Sequence, residues 1–449
     1  MTSKLRSTIV STMIKDATVY NLVKKERHRQ QYGIELIPSE NYASPHVLKI
    51  LSSPFGNKYS EGYPKARYYG GNENADELEI VARERAKTLF KVPHANVQPY
   101  SGSPANFAVY LATCQPGDVI MGLNLTDGGH LTHGWKVSAT AIFYKSIPYH
   151  VTKDGRIDFE EVRRLAKQHK PKLIWAGATA YVYKYDYEKF ARIAEEIGAY
   201  FAADIAHVAG LIVGKVHPSP VKHAHIVTTT THKTLRGPRG GMIMVTQKGL
   251  EKDPELAKKI DRAVFPGLQG GPHDHQTGAI AVALFEASQQ SFIKYSENII
   301  RNAQVLAQSL IDGGLKLVGN GTENHMMLID LIPVFGPGGG VFVEKALDMV
   351  GLTLNKNTIP GEPSSPFYPS GVRLGSPAAT TRGMGPKEMK LIGRVICNVI
   401  DLIKDCRLPD KKEDRSKYIH SFVLKISSDK RIKKLHKDVI DLAKRFPLA

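Results

Sequence analysis

Cysteine is scarce in this sequence, and its scarcity narrows the class of protein. The 449 residues include three cysteines, Cys114, Cys397 and Cys406. Three thiols this far apart form no disulfide framework and match no metal-binding spacing, which excludes a disulfide-rich secreted protein and a cysteine-based zinc protein. The sequence therefore favours a reducing compartment.

Long apolar runs are also missing. No uninterrupted apolar segment approaches the ~18–20 residues that a membrane-spanning helix requires, so the sequence excludes a protein with membrane-spanning helices. The first residues are basic and short of acids, a pattern that also occurs in transit peptides. Asp16 and Glu26 follow soon, however, and no cleavage-like site is visible. We interpret this start as the helical arm of a cytoplasmic protein.

Acidic residues are too few to balance the basic ones. Lys and Arg number 61 against 43 Asp and Glu, a formal net charge of +18. Part of the excess lies near the ends, at Lys4, Arg6, Lys15, Lys24, Lys25, Arg27, Arg29 and in Lys430–Lys437. Such a balance attracts polyanions such as RNA. Because no RNA-binding motif with interleaved aromatic residues accompanies it, we favour a solvated basic surface and keep nucleic-acid binding as the alternative.

Repeats and low-complexity linkers are absent, and strand-like runs alternate with helical patterns such as Tyr187–Ile197. The predicted strands of this region are Val119–Leu123, Lys172–Ala178, Ala199–Asp204, Ile226–Thr230 and Gly241–Val245. This alternation predicts an α/β protein with a mostly parallel sheet.

The chain is long enough for two domains. We predict an N-terminal arm over residues 1–45, a large domain over 46–285 and a smaller C-terminal domain over 286–449. Helical spacing from Gln276 to Leu310 leads into the smaller domain. There the pattern predicts strands at Leu315–Val318, Met326–Leu331 and Val372–Leu374, helices around Glu344–Met349 and Pro386–Ile403, and an exposed glycine-proline loop at Pro333–Gly340.

The most informative stretch is V-T-T-T-T-H-K-T-L-R-G-P-R-G-G, residues 227–241. It places Lys233 just beyond a β-branched strand, with glycines close behind. Most lysines lie in water. A desolvated lysine with a lowered pKa, however, becomes a nucleophile that can hold a carbonyl cofactor as a Schiff base. The setting of Lys233 favours this second interpretation.

An acidic residue ends the preceding predicted strand. The segment A-Y-F-A-A-D-I-A-H-V-A-G, residues 199–210, closes an apolar run on Asp204, and His207 follows. Ligands of α/β sheets bind beyond the strand ends, where a carboxylate can keep the pyridinium nitrogen of pyridoxal phosphate protonated. A helix cap is the alternative for a lone aspartate. With Lys233, Asp204 indicates a pyridoxal-phosphate site.

A phosphate group needs hydrogen-bond donors, and Y-S-G-S-P-A-N, residues 100–106, supplies them. Ser103 followed by Pro104 predicts the start of a helix. Free N–H groups at a helix start, with hydroxyls and a glycine that permits close approach, suit a phosphate. In most proteins such a turn only caps its helix. It therefore supports the cofactor hypothesis but would not be sufficient evidence for it.

Ten segments in order make the chain resemble the serine hydroxymethyltransferases, from about Glu35 to about Gly383. They are E-L-I-P-S-E-N-Y (35–42), N-K-Y-S-E-G-Y-P (57–64), R-Y-Y-G-G (67–71), V-Q-P-Y-S-G-S-P-A-N-F-A (97–108), D-G-G-H-L-T-H-G (127–134), D-I-A-H-V-A-G-L (204–211), T-T-T-T-H-K-T-L (228–235), A-V-F-P-G-L-Q-G-G-P (263–272), N-K-N (355–357) and S-G-V-R-L-G-S-P-A (370–378). Any one segment could arise by chance, whereas their joint order and spacing are very specific.

The resemblance implies a fold and a reaction. The fold is that of the fold-type I pyridoxal-phosphate enzymes, like aspartate aminotransferase: a large domain with a seven-stranded, mostly parallel sheet, a smaller α/β C-terminal domain and an N-terminal helical arm. The reaction is the reversible transfer of the serine hydroxymethyl group to tetrahydrofolate, giving glycine and 5,10-methylenetetrahydrofolate. The resemblance also implies a homodimer or homotetramer whose active sites are shared between subunits.

The resemblance further implies roles for cofactor-binding residues. Lys233 holds pyridoxal 5'-phosphate, Asp204 pairs with its ring nitrogen, His130 stacks on the ring, and His207 and Thr179 lie near its phenolic oxygen. The remaining cofactor contacts are Ser101, Gly102 and Ser103 at the phosphate, Gly271 from across the dimer interface, and His232. The catalytic set implied is Lys233, Glu61, Tyr59, His130 and Thr230.

Substrate residues follow from the same resemblance. Arg373, with Ser39, grips the amino-acid carboxylate, for which a bidentate guanidinium is better suited than a lysine. Tyr69 lines this pocket, and Glu61 and Tyr59 reach in from a second subunit to transfer protons at the substrate hydroxyl. The pterin contacts implied are Glu61, Leu125, Gly129, Leu131 and Asn357.

Three positions depart from the family pattern. Pro38 stands where alanine is usual and stiffens the backbone beside Ser39. Thr179 replaces a serine but keeps the hydroxyl. Val182–Tyr185 replaces a small polar or arginine-containing turn, with an effect that the sequence does not reveal. None of the three removes a group that the chemistry requires.

Other interpretations stay open at this point. His130 and His133 could be zinc ligands, but two histidines without cysteines or further acids are thin support, and we expect no metal. Arg373 could bind a ligand or form an internal salt bridge. The main functional alternatives are a pterin-independent threonine or allo-threonine aldolase and an RNA-binding protein on this scaffold. The sequence does not separate folate from a methanopterin-type carrier.

Overall fold

A seven-stranded sheet dominates the protein, whose computed structural model describes residues 16–448. The strands follow the order His94–Asn96, Gly241–Val245, Ile226–Thr230, Tyr200–Asp204, Leu173–Ala176, Val119–Leu123 and Lys145–Tyr149. Gly241–Val245 is antiparallel to both its neighbours, and the other neighbouring pairs are parallel. The predicted α/β class, with a mostly parallel seven-stranded sheet, is confirmed.

The sheet is covered on both faces, so that strands such as Leu173–Ala176 and Gly241–Val245 are apolar and buried at every position. Successive side chains of a strand point to opposite faces. Leu173 and Trp175 accordingly enter one buried cluster, with helices Gly102–Thr113 and Leu256–Val264. Ile174 and Ala176 enter the other cluster, whose helices are Glu73–Phe90, Phe159–His169, Tyr187–Glu196 and Asp274–Ala287.

The predicted strand positions are confirmed closely. Val119–Leu123, Ile226–Thr230 and Gly241–Val245 occur with the predicted bounds, while two further strands shorten to Leu173–Ala176 and Tyr200–Asp204. The predicted helix over Gln276–Leu310 is two helices, Asp274–Ala287 and Gln290–Asp312. The phosphate-loop helix begins at Gly102 rather than after Ser103, because the Ala105 N–H already bonds to the Ser101 carbonyl.

A second, antiparallel sheet has the order Lys316–Leu317, Met326–Asp330, Gly371–Gly375 and Asn355–Asn357. Its buried cluster includes Ile329, Val372 and Leu374, together with Ile34 and Leu36 from the start of the described chain. Helix Gln290–Asp312 contributes side chains to this cluster and to the large one. The domain limits at 45 and 285 stay a prediction, and residues 1–15 of the predicted arm lie outside the described residues.

The remaining elements include helices that pack in the second buried cluster, such as Gly340–Met349 and Pro386–Ile403, and several short turns and strands. The helices are Ala17–Tyr32, Pro45–Leu51, Ala139–Phe143, Ala209–Val213, Gln247–Lys252, Ile332–Phe335, Gly340–Met349, Pro377–Thr381, Pro386–Ile403, Lys412–Ser428 and Lys430–Lys444, with 3-10 turns at Pro54–Asn57, Leu125–Asp127, Leu131–His133 and Val318–Asn320. Ile34–Glu35 pairs with Leu352–Thr353, and Gly62–Tyr63 with Ala66–Arg67. Over residues 16–448, no helix combines the length and apolarity that crossing a bilayer would demand.

The prediction of an exposed loop at Pro333–Gly340 is wrong. The segment starts in helix Ile332–Phe335, Phe335 is 1% exposed, and the three glycines at 338–340 are buried. The Gly340 N–H donates to the Pro369 carbonyl at 3.0 Å, and a side chain at residue 340 would overlap the Gly371 carbonyl oxygen. The glycines therefore allow the segment to pack against strand Gly371–Gly375.

Candidate active site

Two parallel strands bring the predicted acid and lysine to the same edge of the large sheet. Asp204 is the last residue of Tyr200–Asp204, and it pairs in register with Thr228 of the neighbouring strand Ile226–Thr230. Lys233 follows three residues after that strand ends. Because both strands run the same way, their carboxyl ends meet where ligands of α/β sheets bind.

The Asp204 carboxylate is held by three donors. Its Oδ2 accepts from Asn106 Nδ2 at 2.8 Å and lies 3.2 Å from His133 Nε2, and its Oδ1 accepts from the Ala206 N–H at 3.0 Å. Burial alone raises the pKa of Asp204, but the His133 hydrogen bond and the nearby His130 and Lys233 hold it well below its usual range. The carboxylate therefore stays ionised, as a partner for a protonated ring nitrogen must.

Asn106 links this carboxylate to the histidine predicted to stack on the cofactor. Its Oδ1 accepts from Thr228 Oγ1 at 2.6 Å, and its Nδ2 donates to Thr132 Oγ1 at 2.9 Å. His130 Nδ1 accepts from the Thr132 N–H at 3.3 Å and so carries no proton, which makes Thr132 Oγ1, at 2.7 Å, a second donor to it. The proton of neutral His130 is therefore on Nε2.

The sequence did not predict the part that three residues play in the site, namely Asn106, Thr132 and His133. Asn106 lies in the quoted S-G-S-P-A-N motif, and Thr132 and His133 lie in D-G-G-H-L-T-H-G. The motifs marked these residues as candidates. Their roles could not be predicted, because the hydrogen bonds that define them join segments far apart in the chain.

His130, His133 and Asp204 also form a group whose potential metal-ligand atoms lie within 4.8 Å of one another. Hydrogen bonds already engage the Asp204 oxygens, His133 Nε2 and His130 Nδ1. The ring of His133 stacks on Trp175 at 5.0 Å between centroids. These contacts give each group a role without an ion, and the absence of a metal stays a prediction.

Lys233 is electrostatically tuned for nucleophilic attack. Burial lowers its pKa to about 8, with Arg373 and Arg239 acting in the same direction and Asp204 opposing them. Its backbone carbonyl accepts from Asn41 Nδ2 at 2.9 Å. A larger fraction of this amine is therefore neutral near pH 7 than of an exposed lysine, and its backbone position is held.

His207 is buried and His232 partly buried in the neighbourhood of Lys233. Burial and the charges of Lys233 and Arg373 lower the pKa of His207 well below its usual range, and burial lowers that of His232 to about 3. The His207 carbonyl accepts from Thr234 Oγ1 at 3.0 Å. Both rings are therefore neutral at pH 7.

Arg373 lies in strand Gly371–Gly375 with its guanidinium buried. Its Nη1 donates to the Thr179 carbonyl at 2.5 Å and its Nε to Asn355 Oδ1 at 3.0 Å. No ion pair joins Arg373 to an acid within residues 16–448, and burial lowers its pKa to about 10. An internal salt bridge is thus ruled out for the described part, so the buried cation favours an anionic ligand.

The segment that carries Ser39 lies beside this arginine. The Gly375 N–H donates to the Leu36 carbonyl at 2.7 Å. Pro38 is buried, and a Cβ on residue 375 would lie 3.0 Å from the Cβ of Pro38. The unusual proline therefore fits because residue 375 is a glycine.

The phosphate-loop residues lie at the start of helix Gly102–Thr113. Ser101 is the N-cap residue, and its side chain makes no capping hydrogen bond to the described residues. A Cβ at Gly102 would lie 2.7 Å from Thr230 Cγ2, so glycine is what allows the helix start to approach the strand end. Free N–H groups and two serine hydroxyls at Ser101 and Ser103 suit a phosphate.

Tyr59, Glu61, Tyr69 and Gly271 form a separate group, in which the two tyrosines are exposed and the other two residues are partly buried. The rings of Tyr59 and Tyr69 are 5.3 Å apart, and a Cβ on Gly271 would lie 3.3 Å from Tyr59 and 3.7 Å from Glu61. Tyr59 is 60% exposed and Tyr69 43%. Among the described residues, no hydrogen bond, ion pair or ring contact connects this group to Lys233. Within one chain, the predicted site residues therefore fall into two separate groups.

The predicted pterin residues lie in two neighbouring regions. Leu125 and Leu131 belong to 3-10 turns on either side of Gly129, and Leu131 is 50% exposed. This loop is tied to the Thr179 segment by the Thr179 N–H, which donates to the Gly128 carbonyl at 2.7 Å. Asn357 ends the strand that pairs with the strand of Arg373.

Comparisons with known proteins agree with this geometry. The sequence model of one family, described as serine hydroxymethyltransferase, matches residues 12–396. A serine hydroxymethyltransferase of Acidothermus cellulolyticus is 55% identical over 385 residues, covering 86% of this chain and 88% of that protein. A serine hydroxymethyltransferase of Sorangium cellulosum is 51% identical over 391 residues, covering 87% and 90%. The chain belongs to the serine hydroxymethyltransferase family.

Proposed function

We propose that this chain transfers the hydroxymethyl group of serine reversibly to tetrahydrofolate, giving glycine and 5,10-methylenetetrahydrofolate, at the sheet edge around Lys233. Pyridoxal 5'-phosphate is its cofactor and tetrahydrofolate its co-substrate. The observation that supports this assignment of the site is the meeting of three groups: a desolvated lysine, an ionised and largely buried aspartate, and a buried arginine that has no acidic partner within residues 16–448.

The residues present fit the cofactor. Lys233 would supply the amine that holds it, Asp204 would pair with its ring nitrogen, and the start of helix Gly102–Thr113 would bind its phosphate. When bound, pyridoxal phosphate provides a protonated ring that accepts the electron pair released as the serine Cα–Cβ bond breaks. His133 and Asn106 serve this chemistry by keeping the Asp204 carboxylate charged.

Substrate binding rests on Arg373. A guanidinium with part of its donor set held by Thr179 and Asn355 is fixed in orientation and leaves further N–H groups for a carboxylate. Ser39, on the adjacent segment, completes this contact. Leu125, Gly129, Leu131 and Asn357 hold the pterin close to the leaving one-carbon unit, which is reactive and must be captured before it escapes.

The site is completed by a second copy of the chain. Tyr59, Glu61, Tyr69 and Gly271 lie together in one chain, and among residues 16–448 no hydrogen bond, ion pair or ring contact joins them to Lys233. Exposed tyrosines beside a carboxylate suit an interface that delivers proton-transfer groups to a neighbouring site. We therefore assign a homodimer, or a tetramer built from such dimers, with Glu61 and Tyr59 acting in trans.

The reaction is tested by following glycine formation from serine with tetrahydrofolate, without a pterin and with tetrahydromethanopterin. We expect turnover to require tetrahydrofolate. Equal turnover of threonine and serine without any pterin would show that the protein is an aldolase instead. Turnover with tetrahydromethanopterin alone would show that this pterin, and not tetrahydrofolate, is the one-carbon carrier. Lys233→Ala, which lacks the amine, is the matched inactive control.

The shared site predicts complementation between two inactive variants. Lys233→Ala and Glu61→Gln each disable every site in their own homodimers. If Glu61 acts in trans, a mixed dimer has one site with both defects and one intact site. After unfolding and refolding an equal mixture, we expect about a quarter of the wild-type activity. Activity no higher than that of the separate variants would contradict a site built from two chains.

We place the protein in the cytoplasm. Its three cysteines are free thiols, and Cys114 is buried, which suits a reducing compartment. The basic helix Lys430–Lys444 supports no more specific partner, and we assign its charge to a solvated surface.

A further inference from the structure

A second histidine lies behind His207. His207 Nδ1 is 3.2 Å from His325 Nε2, and the two ring centroids are 5.5 Å apart with 26° between the ring planes, so the rings meet edge to edge. His325 is fully buried, and its Nδ1 has no hydrogen-bond partner among the described residues. His325 is not among the predicted cofactor, substrate or pterin residues.

Both imidazoles are neutral at pH 7. Burial lowers the pKa of His325 to about 3, with Arg373 acting in the same direction, and the pKa of His207 also lies well below its usual range. A neutral imidazole has one N–H donor and one bare nitrogen acceptor. The contact between the rings therefore contains a single proton, which is on one histidine or the other.

The unpartnered atom of His325 decides between the two arrangements. If His207 Nδ1 were the donor, His325 would carry its own proton on Nδ1, and that buried N–H would have no acceptor within residues 16–448. If His325 Nε2 is the donor, the unpartnered atom is only a bare nitrogen acceptor. Orphaned buried N–H groups are rarer than under-satisfied acceptors, so the second arrangement is favoured.

We propose that His325 is a positioning residue that donates from Nε2 to His207 Nδ1 and thereby fixes the proton of His207 on Nε2. His207 then presents an N–H donor to an acceptor in the pocket beside Lys233. Resting on the proposed function, this acceptor is the phenolic oxygen of the bound cofactor. A hydrogen bond to that oxygen is made only if His207 carries its proton on this side of the ring.

The fold holds both rings in place. His325 directly precedes strand Met326–Asp330, which pairs with the strand of Arg373, and its carbonyl accepts from the Ser376 N–H at 3.1 Å. His207 is fixed from the other side by Thr234, the neighbour of Lys233. His325 thus connects the sheet that carries the substrate-binding arginine with the turn that faces the cofactor.

The test reads the tautomer directly in the full-length, cofactor-loaded protein. Histidine is labelled with ¹⁵N, and long-range ¹H–¹⁵N spectra show which ring nitrogen of His207 carries the proton; the signal is identified by its loss in His207→Asn. His325→Gln retains an amide donor for His207 Nδ1, whereas His325→Leu does not. His225→Leu is the control. His225 is also buried, but its Nδ1 accepts from the Phe201 N–H near the amino-terminal ends of strands Ile226–Thr230 and Tyr200–Asp204, opposite the ends where Asp204 and Lys233 lie.

We expect the proton of His207 on Nε2 in the wild type and in His325→Gln, and a mixed or reversed tautomer in His325→Leu. Glycine formation should fall about tenfold in kcat for His325→Leu and recover in His325→Gln, with His225→Leu near wild type. A wild-type proton on Nδ1, or a His207 signal indifferent to both His325 variants, would overturn the proposal. An inactive wild type would defeat the proposed function, whereas the spectra would still decide the tautomer.

Discussion

At the residue scale, burial sets the charge of the groups that surround Lys233. Desolvation favours the neutral form of the lysine and of the histidines, while Asp204 stays charged because donors compensate for its burial. Arg373 is the exception, since a guanidinium keeps its proton even when buried. It is therefore the group whose buried charge most needs a ligand.

Replacing Arg373 with lysine tests this need. Lysine keeps the charge but loses the fixed fork of donors that matches a carboxylate, so we expect KM for serine to rise about 100-fold, the equivalent of about 3 kcal/mol. The visible absorption of the bound cofactor should be retained. Steady-state kinetics over serine concentration measures the effect. An unchanged KM would show that the carboxylate binds elsewhere.

At the scale of elements, short contacts align the two sheets. The unusual turn at Val182–Tyr185 follows strand Leu173–Ala176 and bonds to the segment that precedes strand Met326–Asp330. The Val182 carbonyl accepts from the Glu323 N–H at 2.9 Å, and Asn324 Nδ2 donates to the Tyr181 carbonyl at 2.8 Å. Tyr183 adds a hydrogen bond to the Asp154 carbonyl. The backbone of this turn is thus bonded to the segment that leads into His325.

The start of helix Gly102–Thr113 against Thr230 gives a prediction at this scale. Gly102→Ala places a methyl group where Thr230 Cγ2 now lies, and we expect the free energy of unfolding to fall by about 1–3 kcal/mol. Thr230→Ser removes Cγ2 and should restore most of this loss in the double variant. Urea unfolding of the four proteins measures the coupling. Additive effects would mean that the two side chains do not compete for the same space.

At the scale of the whole molecule, several histidines are buried in their neutral form. Burial lowers the pKa of His217 and of His225 to about 4, and that of His325 to about 3. An unfolded histidine titrates at about 6.5. Between about pH 6.5 and 4 the unfolded chain therefore binds more protons than the folded one, and acid favours unfolding.

We accordingly expect the cofactor-free protein to keep this part of its stability above about pH 6.5 and to lose it on acidification. The loss should be about 1.4 kcal/mol per pH unit for each such histidine in that window. Urea unfolding at several pH values between 7 and 5 measures the slope, and His225→Gln should make it shallower. A flat profile would mean that these histidines accept protons in the folded state.

The sequence by itself determined the α/β class, most strand positions, the family and the placement of Lys233 and Asp204 at strand ends. These features follow from local patterns, because apolar runs and strand-terminal residues are set by neighbours in the chain. Only the tertiary structure decided which groups hold them: Asn106 and His133 reach Asp204 from other elements, and His325 reaches His207 across 118 residues. The buried glycine segment at 338–340 was mispredicted for the same reason, since its packing partner is a distant strand.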